Sequence, residues 1–313
     1  MAGAIVDNRK VVLITGTSSG IGRGFVEELS KSPKAQKQYQ VFASARNIDK
    51  LAFYPPHVER VALDVTDEDS VQAAIDSVIR QAGRIDVLIN NAGASNTIGA
   101  AIEVPLSNYR ACFEANGALT DREPNVVNVQ FFGLIRVTQA VAPHMIRQGS
   151  GTIINIGSTV GLTATPWAAG YSASKAAVHS WSDALRVELA PFNVKVVVVA
   201  PGAIKSAFGE TATSSATVPS AESPYYPAQE VIKARAMFSQ GSYATPTAVF
   251  AKHVLKNALV KKPRAYIVYG AKSFGAFLAW YLPAWVTDAM KTRMFSLGIL
   301  YRARRALQKQ NRA

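Results

Sequence analysis

Three polar residues near the middle of the chain could together transfer a proton. Tyr171 and Lys175 lie four positions apart in a segment of helical character, so both side chains project from one face of the helix. A tyrosine with an ordinary pKa of about 10 is a poor acid at neutral pH, but a nearby ammonium favours the phenolate and lowers that pKa. Ser158 follows an apolar run upstream, where its hydroxyl could bond the same substrate oxygen and stabilise developing negative charge.

These three residues do not decide the function alone, because a tyrosine and a lysine at this spacing also occur on ordinary helices. A second motif, TGTSSGIG at residues 15–22, stands between an apolar run and a helical one. Its glycines permit a tight turn and a close approach to a pyrophosphate, and the following helix offers free N–H groups to that anion. The motif predicts a dinucleotide site, and a purely structural turn is the alternative.

The elements that must position these residues are predicted from the hydrophobic pattern. Short apolar, β-branched runs alternate with longer helical segments, which is typical of buried parallel strands joined by crossover helices. Strands are expected near residues 10–15, 40–45, 58–63, 85–89, 151–156 and 194–199, with a weaker signal at 265–269. The predicted fold class is α/β: a Rossmann-type, doubly wound parallel sheet in a single domain, with ligands at the carboxyl ends of the strands and an apolar, basic C-terminal extension.

The composition excludes several classes of protein. The 313 residues are 49% hydrophobic and 18% charged, the balance of a globular chain rather than a disordered one. The one cysteine, Cys112, excludes a disulfide framework and a thiolate metal cluster, and the four histidines lack ligand spacing, so no metal is expected. The N-terminal residues lack the apolar core of a secretion signal, which predicts a cytoplasmic protein.

The TGTSSGIG motif resembles the nucleotide-binding turn of the short-chain dehydrogenases/reductases. The resemblance continues in order with NNAG at residues 90–93, Ser158, YSASK at residues 171–175 and PG at residues 201–202, and it covers about residues 10–206. It implies a nicotinamide cofactor and carbonyl or alcohol chemistry. Tyr171 would exchange a proton with the substrate oxygen while hydride passes between cofactor and carbon, and Lys175 would also bond the nicotinamide ribose.

The resemblance further implies a set of cofactor contacts spread along the chain. Asp64 and Val65 match the adenine contact, whereas Asn91 and Gly93 match the floor of the adenosine ribose site. Ser206 stands where Thr is usual, which keeps the hydroxyl of the nicotinamide loop. The cofactor-binding residues predicted in this way are Gly16, Ser18, Gly20, Ile21, Gly22, Arg46, Asp64, Val65, Asn91, Gly93, Tyr171, Lys175, Pro201, Ile204 and Ser206.

Arg46 distinguishes between the two nicotinamide cofactors. A carboxylate at the end of the second strand would accept hydrogen bonds from a ribose 2′-OH but repel a 2′-phosphate. This chain has no acid there and has Arg46 directly after the expected strand. A guanidinium pairs with a phosphate through a planar fork, so the sequence favours NADP(H), with a solvated surface arginine as the alternative.

A fourth catalytic residue implied by the resemblance is an Asn three positions before a Gly, in the helix that precedes the fifth strand. Counting back from Gly133 gives Gln130 instead. If residues 117–130 are an insertion, Asn116 falls at the family's spacing, and Asn128 is the other candidate for this role. A tolerated surface insertion and a retained intron are both open explanations. A chain without the segment is expected to be at least as active as the full one.

Two further segments are expected to handle the substrate or a surface. Residues 206–240 are rich in Ser, Thr, Pro and Ala, which suits a substrate loop or lid with one short helix. The catalytic domain is expected to span residues 1–260, followed by a basic, aromatic extension over residues 261–313. That extension carries eleven Lys or Arg and one acid, Asp288, and therefore holds +10 of the net charge of +13.

The apolar part of the extension predicts a contact with a membrane surface. It contains Trp280, Tyr281 and Trp285, but Pro283 and several charges divide it, which disfavours a spanning helix. Aromatic rings at headgroup level and basic groups on anionic lipid suit peripheral contact with the endoplasmic reticulum or a lipid droplet. A cover for the substrate cleft and a contact within a homo-oligomer are the alternatives. Nucleic acid is not expected as a partner, because the interleaved apolar residues fit lipid better.

The extension and Arg46 together resemble the fungal branch near the NADPH-dependent 1-acyldihydroxyacetone-phosphate reductases. This implies a small-molecule substrate with a lipid-like or otherwise bulky, apolar carbonyl. The leading prediction is an NADPH-dependent carbonyl reductase. An NADP-dependent alcohol or steroid dehydrogenase would run the same chemistry in the oxidative direction, and a non-catalytic NADPH-binding scaffold on a membrane is a third alternative.

Overall fold

A seven-stranded parallel sheet organises the computed structural model, which describes residues 8–93, 97–113, 131–206, 208–214 and 216–310. The strand order β3-β2-β1-β4-β5-β6-β7 is that of a doubly wound sheet, so the predicted fold class is confirmed. The strands are β1 Lys10–Ile14, β2 Tyr39–Ala45, β3 Val58–Ala62, β4 Val87–Asn90, β5 Gly151–Ile156, β6 Val194–Pro201 and β7 Tyr266–Tyr269.

Helices cover both faces of this sheet. Within the described residues they are α1 Gly20–Ser30, α2 Pro33–Gln38, α3 Glu68–Ala82, α4 Leu106–Phe113, α5 Phe132–Gln148, α6 Thr159–Leu162, α7 Ala169–Leu189, α8 Phe208–Ser214, α9 Gln229–Ala236, α10 Thr247–Ala258, α11 Ser273–Ala279, α12 Ala284–Met294 and α13 Gly298–Gln310. Short 3-10 turns lie at Ile48–Leu51, Ala190–Phe192 and Tyr226–Ala228.

The central strands β1, β4, β5 and β6 lack polar alternation because both of their faces are buried. Along β1, Val12 and Ile14 belong to one hydrophobic cluster, while Val11 and Leu13 belong to another on the opposite face of the sheet. The first cluster is closed by α1 and α10, where the rings of Phe25 and Phe250 lie 6.1 Å apart between centroids. The continuous apolar runs seen in the sequence are therefore the signature of a sheet covered twice.

The sheet opens a crevice where its strand order reverses. The chain runs outward from β1 to β2 and β3 on one side, and from β4 to β7 on the other, so the loops after β1 and β4 diverge. The Gly-rich turn follows β1, and the segments after β2, β5 and β6 end at the same edge. The Gly-rich turn, Arg46, Ser158 and the PG motif at residues 201–202 thus share the carboxyl edge of the sheet.

The segment at residues 206–240 contains more helix than expected. The sequence predicted one short helix, but α8, a 3-10 turn and α9 all form there. The helix α9 buries Ile232 and Ala236 at helical spacing, and these two residues join a third hydrophobic cluster with Trp167 and Phe295. Most of the Pro and several of the Ser of this segment lie between α8 and α9, whereas Thr211, Thr213 and Ser214 lie within α8.

The C-terminal helices pack against this third cluster rather than standing away from the sheet. Phe295, at the end of α12, is 3% exposed, and its backbone oxygen accepts a hydrogen bond from Nε1 of Trp167 at 3.4 Å. Thr163 after α6 donates its hydroxyl to the backbone oxygen of Ala276 in α11. No helix in the described part of the chain is both long enough and apolar enough to cross a membrane.

Candidate active site

A cavity of about 770 Å³ lies at the carboxyl edge of the sheet and collects almost every residue that the sequence singled out. Gly22 is not among its lining residues, and Asn116 lies outside the described residues together with the whole segment 117–130. The predicted site residues that line the cavity are Gly16, Ser18, Gly20, Ile21, Arg46, Asp64, Val65, Asn91, Gly93, Ser158, Tyr171, Lys175, Pro201, Ile204 and Ser206.

Two glycines of the Gly-rich turn occupy positions that no other residue could take. Gly16 has φ +69°, and a Cβ placed on it would lie 2.7 Å from Cα of Ala92. A Cβ on Gly22 would lie 2.3 Å from the backbone oxygen of Gly16. The turn therefore folds back on itself and presses against the segment after β4, which holds the backbone N–H groups close to the cavity.

The amino end of α1 is arranged to receive an anion. Ser19 precedes the helix, and its side chain makes no capping hydrogen bond. The first turn of α1 contains no acidic residue. Uncapped N–H groups together with the positive end of the helix dipole favour a phosphate at this position. The cradle of the Gly-rich turn and this helix end fit the pyrophosphate of a nicotinamide dinucleotide.

Asn91 braces the Gly-rich turn from the neighbouring strand. Its Nδ2 donates to the backbone oxygens of Thr15 and Gly16, at 2.9 and 3.0 Å. The hydroxyl of Thr15 in turn accepts the backbone N–H groups of Asn91 and Ala92. The second strand adds a further anchor, because Thr17 donates both its N–H and its hydroxyl to the backbone oxygen of Ser44. The turn is therefore fixed before any ligand binds.

The far end of the cavity holds the residues predicted to contact adenosine. Arg46 is exposed directly after β2 and lines the cavity. Asp64 accepts the backbone N–H and the hydroxyl of Thr66 on its Oδ1, which orders the loop after β3. Val65 is buried, and a Cβ on Gly133 would lie 2.7 Å from its Cγ2, so the loop packs tightly on α5.

Lys175 lies at the reactive centre of the cavity. Its side chain is 5% exposed, and its Nζ donates to the backbone oxygen of Ile156, at the end of β5, at 2.9 Å. The same Nζ lies 6.0 Å from the ring centroid of Tyr171, one helical turn earlier in α7. The Tyr171 ring also packs on Phe208 of α8, with centroids 5.3 Å apart. The structure therefore brings Tyr171, Lys175 and the carboxyl end of β5 together.

Ser158 reaches the same point from the loop after β5. Its Oγ accepts the backbone N–H of Val160 at the start of α6, so its own hydroxyl proton can be donated to a ligand. Thr159 donates its hydroxyl to the backbone oxygen of Pro201, which ties this loop to the end of β6. Ser158, Tyr171 and Lys175 thus line one cavity from two elements.

His179 contacts the backbone of Ser158, although the sequence offered no reason to select this histidine. It lies one turn beyond Lys175 in α7, and its Nε2 accepts the backbone N–H of Ser158 at 3.3 Å. Burial and, to a smaller extent, the neighbouring ammonium of Lys175 lower the pKa of His179 to about 4, against an opposing effect of Asp183. A Cβ on Gly157 would lie 2.1 Å from Nε2, so the ring fits only against a glycine.

Gln240 holds the loop that the resemblance assigns to the nicotinamide. Its Oε1 accepts the backbone N–H of Ser206 at 2.8 Å, and its Nε2 donates to the backbone oxygen of Ile204 at 3.2 Å. Ser206 also approaches α1, since a Cβ on Gly20 would lie 3.4 Å from its Cβ. One amide side chain therefore fixes the loop after β6 across the start of α1.

Several residues that line the remaining part of the cavity carry no sequence motif. Most of their side chains come from α8, α9, α11 and α12 or from residues next to these helices, and they are mainly apolar with a few cations. Within the described residues, no three His, Cys, Asp or Glu side chains cluster so as to hold a metal ion. The residues of this region are Ile98, Thr165, Phe208, Ala212, Arg235, Phe238, Lys272, Ala276, Ala279, Met290, Lys291, Met294 and Phe295.

Known proteins share this arrangement of elements. A family model described as short chain dehydrogenase matches residues 10–216. The short-chain dehydrogenase ptmH of Penicillium ochrochloron is 30% identical over 292 residues, covering 91% of this chain and 98% of that protein. A 3-ketodihydrosphingosine reductase of Bacteroides thetaiotaomicron is 36% identical over 204 residues, covering 64% of this chain and 65% of the reductase. The crystal structure of a short-chain dehydrogenase from Streptomyces avermitilis has a TM-score of 0.72 at 28% identity and covers 93% of this chain and 98% of that one.

Proposed function

Because the chain belongs to the short-chain dehydrogenase family, an oxidoreductase family that uses nicotinamide cofactors, we propose that it is an NADPH-dependent reductase of a bulky, apolar carbonyl compound. The observation that carries this proposal is the meeting of Tyr171, Lys175 and Ser158 in one cavity with the Gly-rich turn. The bound cofactor supplies hydride to the carbonyl carbon. The proton and the hydrogen bond at the carbonyl oxygen would come from side chains of this chain.

Each of the three polar residues has a separate task at the carbonyl oxygen. The phenol of Tyr171 donates a proton to that oxygen, and the hydroxyl of Ser158 donates a hydrogen bond to it. The buried ammonium of Lys175 favours the phenolate that Tyr171 becomes, and its bond to the backbone oxygen of Ile156 fixes its position. Ser158 follows the buried strand β5 by two residues, and Tyr171 and Lys175 lie on α7, which packs against the sheet, so these elements keep the geometry rigid.

The preference for NADPH rests on Arg46. Within the described residues, no carboxylate forms an ion pair with Arg46, and it lies on the cavity wall at the end of β2. A guanidinium there attracts a 2′-phosphate, whereas a ribose 2′-OH gains little from it.

The size and apolar character of the substrate are inferred from the wall of the cavity beyond Tyr171. Phe208 and Phe295 supply aromatic surface, and Met290 and Met294 supply flexible thioethers that adapt to irregular shapes. A polar sugar or a small hydroxy acid would leave this surface unfilled. A long-chain or polycyclic ketone would cover it.

An assay of NADPH oxidation with a panel of ketones tests the proposal. We expect turnover with acyl-chain, steroid and polyketide ketones, and much weaker turnover with acetone or pyruvate. A protein that binds NADPH, as shown by quenching of its tryptophan fluorescence, but oxidises none with any ketone would be a scaffold. Faster reduction of NADP⁺ by the matching alcohols, at equal concentrations, would instead favour the oxidative direction.

The outer face of α11 and α12 supports a second proposal, that this surface rests on an anionic membrane. Phe274, Tyr281 and Trp285 are 72%, 68% and 75% exposed, although the inner faces of the same helices line the cavity. The basic helix α13 follows directly, so cations flank the aromatic surface. Exposed rings flanked by Lys and Arg match the chemistry of an anionic lipid interface. A cytoplasmic enzyme held at the endoplasmic reticulum or a lipid droplet would receive apolar substrates there.

A further inference from the structure

The substrate end of the cavity contains an arginine whose charge is not balanced by a carboxylate among the described residues. Arg235 lies in α9 and lines the cavity, and its Nε is shielded from solvent without a hydrogen-bond partner in the described part of the chain. One of its other nitrogens, Nη2, donates to the hydroxyl of Thr165 at 2.9 Å. A guanidinium has five N–H donors, so a single neutral hydroxyl leaves most of its capacity unused.

The surroundings of Arg235 are aromatic rather than acidic. Its guanidinium lies 5.3 Å from the ring centroid of Phe238 and 5.7 Å from that of Phe295. Burial lowers the pKa of Arg235, and the groups that oppose this shift are the phenols of Tyr171 and Tyr243. No carboxylate forms an ion pair with Arg235 among the residues described. A half-buried cation without a counter-charge among the described residues is costly, which points to a ligand that supplies the charge.

Two lysines add positive charge at the same end of the cavity. Lys272, before α11, lies over the rings of Phe238 and Tyr243, with its Nζ 4.1 and 3.8 Å from their centroids. Lys291 of α12 also lines this end. Asp64, at the adenosine end, is the one acid among the described residues that line the cavity. The cavity is therefore apolar along its wall and cationic at the point where α9, α11 and α12 meet.

We propose that the substrate carries an oxyanion, a carboxylate or a phosphate, in addition to its carbonyl group, and that Arg235 binds this oxyanion. The inference rests on the proposed function, because it places the carbonyl at Tyr171 in the same cavity. A planar guanidinium matches the two oxygens of a carboxylate or phosphate, and a partly dehydrated site strengthens that pair. A ketone with an ammonium group would meet three cations and be rejected.

Matched ketones test this inference by turnover. The compounds share one alkyl chain and one keto group, and they end in a carboxylate, a phosphate, an uncharged amide or an ammonium. We expect the parent enzyme to prefer the two anionic ketones. The Arg235→Met variant, which keeps an apolar side chain against Phe238 and Phe295, should lose about tenfold to hundredfold in kcat/KM on the anionic ketones, mainly through KM, and less than threefold on the amide.

Two control variants separate charge recognition from packing. Lys233→Met removes a cation from the exposed side of the same helix, where Lys233 pairs with Glu230, and should change neither activity. Arg235→Lys retains the charge and should restore part of the anion preference. An equal loss on anionic and amide ketones in Arg235→Met would mean that Arg235 only supports packing, and an equal rate of the parent on the anionic and amide ketones would also overturn the inference.

Binding measurements keep the inference separate from the proposed function. Calorimetry with the NADPH-loaded protein compares dodecanoate and dodecyl phosphate with dodecanamide. We expect the two anions to bind at least tenfold more tightly than the amide, and Arg235→Met to remove that difference. If no ketone is turned over but the anion preference is present and depends on Arg235, the reductase proposal fails and the oxyanion site stands. If the three ligands bind alike, the oxyanion site is wrong whatever the turnover.

Discussion

The backbone N–H of Ser158 donates to Nε2 of His179 at 3.3 Å, which links the loop that carries the proposed catalytic hydroxyl to the helix that carries Tyr171 and Lys175. The bond requires an unprotonated Nε2, and burial supplies that condition by lowering the pKa of His179 to about 4. The same bond makes the stability of the site dependent on pH.

We predict that stability falls with decreasing pH in a way that depends on His179. The unfolded chain takes up this proton near pH 6.5, but the folded protein does so only near pH 4. The unfolded state therefore binds more protons between these values, and the free energy of unfolding falls by about 3 kcal/mol as the pH is lowered through that window. Urea unfolding at several pH values measures this change in the free energy of unfolding.

The matched variant for this prediction is His179→Gln, whose amide oxygen can still accept the Ser158 N–H but does not titrate. Its free energy of unfolding should vary less between pH 6.5 and 4 than that of the parent. His57→Gln, which changes an exposed histidine outside the cavity lining, should keep the parent's slope. Parallel curves for the parent and His179→Gln would show that the buried imidazole is not the titrating group.

Replacing Tyr171 by phenylalanine should remove the acid without disturbing the fold. The phenol is the proposed proton donor, so Tyr171→Phe should lower kcat by about 100-fold to 10,000-fold on any ketone that the parent reduces. Its affinity for NADPH should change little. The exposed Tyr226 provides the control, because Tyr226→Phe removes a hydroxyl far from the cavity lining. Reduction at the parent's rate by Tyr171→Phe would refute the proposed mechanism.

Replacing Arg46 by alanine should weaken the preference for NADPH. The loss of a charge-assisted contact to the 2′-phosphate should raise KM for NADPH about tenfold to hundredfold and leave KM for NADH nearly unchanged. The control is Arg60→Ala, because this substitution removes the same charge from an exposed residue of β3 outside the cavity lining. Equal effects of Arg46→Ala on both cofactors would assign the preference to another part of the site.

Alanine at Gly16 should be more harmful than alanine at a glycine with similar backbone geometry. Gly16 and Gly149 have φ +69° and +63°, so both variants carry left-handed strain of about 1 kcal/mol. Only at Gly16 would the new Cβ also meet Ala92, so Gly16→Ala should cost about 1–3 kcal/mol more. It should also weaken NADPH binding. Urea unfolding compares the stability of Gly16→Ala and Gly149→Ala, and fluorescence titration compares their affinity for NADPH. Equal losses of stability in the two variants would contradict this account of the turn.

The exposed tryptophans of α11–α12 should govern contact with lipid vesicles. The full-length protein should float with vesicles that contain phosphatidylserine, less so at high salt, and the double variant Trp280→Ser with Trp285→Ser should lose most of this binding. Phe192→Ser removes an exposed ring elsewhere and should have no effect. If the double variant instead dissociates an oligomer seen by ultracentrifugation, and vesicles bind neither protein, the surface is a subunit contact.

Local sequence patterns were enough to predict the parallel sheet and to select Ser158, Tyr171 and Lys175 as candidate site residues. The central strands can be recognised in the sequence because burial on both faces favours apolar, β-branched residues along most of the strand, as in β6. The Gly-rich turn and the Tyr171–Lys175 spacing are equally local, because a tight turn and a helical face are decided within a few residues. The helix α9 was missed because its apolar positions, Ile232 and Ala236, lie in a segment whose composition is dominated by its loops.

By itself, the sequence was enough to predict the doubly wound fold class, the Gly-rich turn and the proposed proton-transfer residues, since each depends on a local hydrophobic pattern or on a familiar motif. The tertiary structure alone decided which side chains surround the substrate. Arg235, Lys272 and Phe295 come from three separate helices, and no spacing along the chain shows that they meet. Their convergence follows from the burial of a shared hydrophobic cluster, and the charge left without a counter-charge there becomes visible only once the chain is folded.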